Sequence, residues 1–277
     1  MDYVILLCIG LVMGLLGGML GIGGSIVMIP AMVFAFGENQ HLYQASAMIC
    51  NFFVAASSVI AHRKAGALVP AVLKWLVPAA IVGVVIGVAA SNLTVFEGPK
   101  SYRLAWLFGA FLVYVAGYEA YKLVRSLAGS KKDGHDESPI HPSGKVSSLI
   151  GLVTGLAAGL LGIGAGTVAT PLQQILLKLP MRQAMSNSAT AIIGIAGVGA
   201  IYKNLSLGEH GIQFAMFAGD SVVMASALIA AFIVPTGLVG GYLGGHLMHR
   251  LPKNLVRAAF VAVLICGAYK LLTIRPR

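Results

Sequence analysis

The sequence predicts an all-α polytopic membrane protein with two internal repeats of about four membrane segments each. The first helix of each repeat is expected to be broken or re-entrant, and the chain to make eight or nine spans. Three observations lead there. First, the 277 residues are 58% hydrophobic and only 10% charged, whereas a soluble domain carries about 25% charged residues. Second, several apolar runs reach the ~20 residues that cross a bilayer, and the alternating segments of about ten residues that mark a membrane β-barrel are absent. Third, Gly14–Pro30 (GLLGGMLGIGGSIVMIP) and Gly155–Pro171 (GLAAGLLGIGAGTVATP) match at a constant offset of 141. Paired apolar segments interrupted by glycine and proline, one in each half of a chain, point to a transporter-type binding site.

The elements follow in order. Tyr3–Phe36 is apolar for 34 residues, about 50 Å as one straight helix against a hydrocarbon core of about 30 Å. It must tilt, break or fold back, and the glycines at 17, 18, 21, 23 and 24 are where a break is expected, because glycine is a poor helix former. Gln44–Ala61, Pro70–Asn92 and Arg103–Val124 are the next spans. The first repeat is therefore taken as residues 1–125. Residues 126–146 mix charges, prolines and small polar residues without apolar periodicity and read as a linker. The pattern restarts over residues 147–277: Ser147–Leu177 carries the second glycine cluster, Gln183-Ala184 echoes Gln44-Ala45, Ile233-Val234-Pro235 echoes Leu76-Val77-Pro78, and Tyr269-Lys270 echoes Tyr121-Lys122. The echoes keep chain order, the mark of an internal duplication. The second half holds extra apolar residues around Asp220, either an added ninth span or an extension of a long helix.

The net charge of +10 sits mostly between apolar runs, as expected of loops at a membrane surface rather than of a nucleic-acid binder. With eight spans and the N-terminus inside, eleven Lys and Arg fall inside and seven outside, which puts the linker in the cytoplasm. Cys8, Cys50 and Cys266 lie in apolar runs without ligand or disulfide spacing. The N-terminal run lacks a basic leader and exceeds signal length, so it reads as a first span. The multi-pass chain is thus expected in the cell (inner) membrane.

Chemistry concentrates at the glycine clusters. No lysine follows Gly21-Ile22-Gly23-Gly24-Ser25, so it is not a phosphate loop. Small residues also let membrane helices pack closely, and the two roles coexist. A helix broken inside the membrane exposes N–H groups at the start of its second part, and these with the helix dipole bind anions without formal charge. Gly21, Gly23 and Gly24, facing Gly162, Gly164 and Gly166, would cradle a small anion from two sides, with Ser25, Thr167 and Thr170 as hydroxyl donors. The polar openings of the following spans, Gln44, Ser46 and Asn51 in one half and Gln183, Asn187 and Ser188 in the other, either cap their helices or complete the anion's hydrogen bonds. Ionisable residues inside membrane runs are functional by default. Of Lys74, Glu119, Asp220 and His246, Glu119 fits an interfacial pair with Lys122, and Asp220 is the candidate for proton coupling. His135, Asp136, Glu137 and His141 lack the spacing of a metal site, and neither metal nor cofactor is expected. Intramembrane aspartyl and serine protease motifs are incomplete, so no enzyme activity is expected.

With the motif G-x-x-x-G-x-x-G-I/V-G-G/A-G-x-x-x-x-P in both halves, each followed by a polar-headed helix, the chain resembles the sulfite exporter TauE/SafE family, also called the 4-toluene sulfonate uptake permease family. It departs from the family pattern at Ser25, where a third glycine is common, at Ala165, and at Ala47-Met48, while Asn187-Ser188 keeps it. The resemblance implies movement of a small sulfur-containing anion, such as sulfite, sulfoacetate or another organosulfonate. The partners are then the anion and the lipid bilayer, with a homo-oligomer compatible. Export is favoured, because an anion leaving a negative cytoplasm runs downhill. The alternatives are a proton-coupled importer and a membrane scaffold for a partner enzyme that docks on the linker.

Overall fold

The computed structural model describes residues 2–20, 23–64, 68–96, 100–128, 143–164, 166–207, 221–247 and 253–274. They form ten helices and, among the described residues, no strand: α1 (Asp2–Leu20), α2 (Ser25–Phe36), α3 (Gln40–Lys64), α4 (Pro70–Ser91), α5 (Tyr102–Leu127), α6 (Gly144–Leu161), α7 (Gly166–Leu176), α8 (Met181–Leu207), α9 (Val222–Leu247) and α10 (Lys253–Leu272). The two long apolar stretches break as the glycines predict, between α1 and α2 and between α6 and α7.

Seven of the described helices (α1, α4, α5, α6, α8, α9 and α10) are long and apolar enough to cross a membrane. α3, at 25 residues, is long enough but more polar. Its first nine residues, Gln40 to Met48, are all buried, so protein rather than lipid surrounds them, and an apolar surface is not needed there. Residues 222–231 belong to the same helix as Pro235, so this part of the extra apolar material lengthens α9 instead of forming a separate span.

The helices pair across the two halves of the chain. α1 lies parallel to α9: Gly10 stands against Ile233 and Thr236, Gly14 against Gly237, and Gly18 against Gly241. α6 lies parallel to α4, with Gly151 on Leu76, Gly155 on Ala80 and Gly159 on Val84. A methyl group on Gly14 would run into the carbonyl of Gly237, and one on Gly155 into that of Ala80. The first glycines of each motif therefore serve close backbone packing, the small-residue mode of membrane helices. α3 and α8 are antiparallel, Met48 meeting Gly199 near the middle and His41 meeting Lys203 at the end. α5 and α10 are antiparallel as well, with Gly109 against Leu272 and Arg257 3.8 Å from Glu119. The expected pairing of Glu119 with Lys122 is present at 3.8 Å.

These directions fix which ends share a side. α2 folds back along α1: Gly24 sits beneath Met13, and Val27 and Ala31 line a groove with Val4, Ile5, Cys8, Ile9 and Val12. α3 therefore starts at the end where α1 starts. α6 and α8 both run parallel to α4, so α7 likewise returns toward the start of α6. Each broken stretch makes a hairpin rather than one crossing. That overturns the sided count above, in which each stretch crossed once and the chain termini shared a side with the linker. Here the start of α1 and the end of α10 share one end of the bundle, and the end of α5 and the start of α6 share the other. Large apolar side chains such as Val82, Ile86, Tyr114 and Leu238 are exposed around the bundle, as a lipid-facing surface requires.

Candidate functional site where the two helix breaks meet

Each break is built by glycine geometry. α6 ends with Gly162 in the left-handed conformation (φ 73°), its N–H bonded to Ala158 O at 2.8 Å, the usual way to close a helix. In the other hairpin Gly23 takes φ 88°, and Gly24 O receives the first N–H groups of α2, from Val27 and Met28. The two turns touch: a methyl group on Gly23 would lie 3.3 Å from the Cα of Gly164.

Ser25 ties them together. Its buried Oγ accepts from Asn51 Nδ2 at 2.9 Å and from the Gly164 N–H at 2.8 Å. Both acceptor positions are thereby used, and the hydroxyl proton remains to be donated. No acceptor for it lies among the described residues. The Gly164 amide, expected to face an anion, is thus engaged by a hydroxyl of the opposite break. Gln44 lies against Gly162 and donates from Nε2 to Leu160 O at 3.1 Å, holding the carboxyl end of α6. Its Oε1 is buried without a partner, as is Oε1 of Gln183.

A second polar group links α7, α8 and the start of α4. Ser188 Oγ accepts from Thr170 Oγ1 (3.1 Å) and Gln173 Nε2 (3.0 Å). Asn187 donates to Gln173 Oε1 (3.2 Å) and accepts the Val69 N–H (3.0 Å). Ser46 and Thr167 are bonded within their own surroundings, to Leu42 O and Gly164 O. Gly24 and Gly166 are buried at the starts of α2 and α7. Gly21, Asp220 and the linker residues His135, Asp136, Glu137 and His141 lie outside the described residues. The structure thus brings Gly23, Ser25, Asn51 and Gly164 to one point, puts Gln44 beside Gly162, and gathers Thr170, Asn187 and Ser188 into a separate cluster around Gln173. None of these side chains carries a formal charge, so recognition here falls to N–H and hydroxyl dipoles.

Sequence reasoning missed two things. Gln173 is the hub of the second cluster, and its place two residues after Pro171 was its only signal. Lys203, one of the eleven basic residues placed on the inside in the sided count, is fully buried, with its Nζ bonded to His41, Ser91 and Asn92. A single lysine continuing an apolar run was the available signal.

The family model described as sulfite exporter TauE/SafE matches residues 6–271. The chain belongs to the sulfite exporter TauE/SafE family. Among relatives, the probable membrane transporter protein MamO of Paramagnetospirillum magneticum is 25% identical over 98% of this chain and 45% of its own length. The chain thus spans about half the length of the MamO relatives it matches. Probable membrane transporter proteins of Xylella fastidiosa (26% identical, 94% of this chain and 89% of the relative) and Bacillus subtilis (YunE; 24% identical, 96% of each) align over nearly their whole lengths. No solved structure matches. This TauE/SafE protein is a multi-pass membrane protein by its family and its seven apolar helices.

Proposed function

We propose that this TauE/SafE protein is a secondary carrier or facilitator for a small sulfur-containing anion such as sulfite, sulfoacetate or another organosulfonate, working in the direction of export. The observation that carries the reading is the meeting of the two breaks at Ser25, where a hydroxyl proton and glycine backbone from opposite hairpins converge at a buried point. Dipoles of this kind bind oxyanions without a fixed cation. The description of the family supports the choice of anion. The opposite directions of α1 and α6 support reading the halves as inverted repeats, the arrangement in which carriers place a central site.

Sidedness follows from charge. Among the residues whose side chains are described, Lys74, Lys122, Arg125, Lys145, Lys178, Arg182 and Arg257 lie toward the end that joins α5 to α6, against Lys100, Arg103, Lys203 and Lys270 at the other. The basic end is the cytoplasmic one in this reading, with both chain termini outside. An anion that leaves against a cytoplasm 100 mV negative gains about 2.3 kcal/mol, so export needs no coupling ion.

The test is efflux from proteoliposomes loaded with sulfite, sulfoacetate, sulfate or a carboxylate, with potential and pH gradient set separately. Sulfur oxyanion efflux that rises with inside-negative potential and falls at least tenfold in Ser25→Ala is expected. Absence of such efflux for every sulfur oxyanion, from protein that unfolds cooperatively, would overturn the reading.

A further inference from the structure

Lys203 lies near the end of α8 with its side chain wholly enclosed. Its Nζ stands 2.8 Å from His41 Nδ1, 2.8 Å from Ser91 Oγ and 2.7 Å from Asn92 Oδ1. Ser91 donates its own proton to Val88 O at 2.8 Å, so it accepts from the lysine. His41 Nε2 lies 2.9 Å from Phe96 O. A carbonyl only accepts, so Nε2 holds the ring proton and Nδ1 presents a lone pair to Lys203. Three ammonium protons thus meet three neutral acceptors. Among the described residues no carboxylate lies within ion-pair distance of the amine.

The groups that face it are few. α3 contributes His41, the one titratable partner among the described residues. α4 and the turn after it contribute Ser91 and Asn92. On α9, Ser226 is bonded to Asn204 and to Val223 O rather than to the amine. Glu38, one turn before His41, receives a hydrogen bond from Ser101 at 3.1 Å.

Removal of one proton from this cluster breaks its geometry. A neutral amine keeps two donors, for Ser91 and Asn92, and turns its lone pair against that of Nδ1. Relief takes either the imidazole proton moving to Nδ1, which abandons Phe96 O, or the Ser91 hydroxyl turning from Val88 O to the amine. Either way one of these bonds is lost, and the three charge-assisted bonds that fastened α8 to α3 and α4 become weaker neutral ones. The departing proton goes to bulk water at that end of the bundle.

We propose that Lys203 and His41 form a proton-binding latch that closes the end of the bundle where α1 starts. With the proton held, α8 is fastened to α3 and α4. With the proton lost, that end opens toward the helix breaks, which lie about 15 Å further along α3 at Asn51, ten residues on. Anion passage is thereby linked to the pH on that side. The latch rests on the carrier reading for its purpose, but its chemistry does not.

Hydrogen exchange on the purified protein tests it without any substrate, with rates corrected for base catalysis. In the wild type, protection of the amides at 92–96 should fall at least tenfold as pH rises. Lys203→Arg, which keeps its charge, should hold that protection across the range, and Lys203→Met should lack it throughout. A wild type with no pH response overturns the latch even if neither variant folds, and so does a Lys203→Arg protein that responds like the wild type. The pH response without flux of any sulfur oxyanion upholds the latch and removes the carrier reading. Flux without the response upholds the carrier and removes the latch.

Discussion

At the first break, Ser25 reaches out of its own half of the chain: its hydroxyl oxygen takes the N–H of Gly164 across the gap and the amide of Asn51 from α3. At the second break, Gly166 stands at the matching position, and the nearby hydroxyls turn inward. Thr167 bonds to Gly164 O, and Thr170 joins Ser188, Gln173 and Asn187 within the second half. Two stretches with the same glycine pattern thus carry different connections. One ties the two breaks directly to each other, and the other fastens its own helix pair and, through Asn187 and Val69, the start of α4. The shared glycines set the packing and the breaks, and the unshared hydroxyl decides which break controls the junction.

The comparison can be broken at three levels. The largest effect is expected where the two stretches agree. Gly14→Val and Gly155→Val each push a side chain into a facing backbone carbonyl, and should each lower stability by about 3 kcal/mol or more, read as loss of cooperative thermal unfolding in detergent. Clear tolerance of one and not the other would show that the parallel helix pairs are not equivalent. Ser25→Ala comes next. It leaves the Gly164 N–H and the Asn51 amide without their partner, at roughly 1–3 kcal/mol for each buried group. Restoration of stability by Ser25→Thr, which keeps the hydroxyl, would separate the hydrogen bonds from packing. Thr170→Ala should cost least, about 1 kcal/mol, because Ser188 retains its bond from Gln173. A Tm loss equal to that of Ser25→Ala would erase the asymmetry between the breaks.

The breaks were legible because two signals agreed: apolar stretches too long for one straight crossing, and glycines clustered within them. The packing role of Gly14, Gly18, Gly155 and Gly159 followed from the same spacing. The direction taken after each break was not legible. Apolar periodicity is the same whether Ser25–Phe36 continues α1 or returns beside it, so the sidedness of every later helix depended on a turn that leaves no mark in composition. α3 was readable as a span but not as an enclosed one, since its polar opening, Gln40-His41, becomes tolerable only when other helices cover it. The latch residues His41, Ser91, Asn92 and Lys203 are spread over more than half the chain. A charge also looks like the end of a span until the helix is seen to carry it inside.

The exchange of partners between the halves has a consequence for how the chain comes into being. α1 buries its glycine seam on α9, which begins about 200 residues after α1 ends, and α6 docks on a helix made well before it. The larger core gathers Met13, Met28, Phe108, Ile229 and Phe260, and the smaller one joins Leu76 and Val84 to Ile150 and Ile195. Neither half encloses a core of its own. A ribosome that has finished only the first half has therefore released helices with an unmatched groove, and these helices reach their final form as one cooperative unit, only once α9 and α10 have been made.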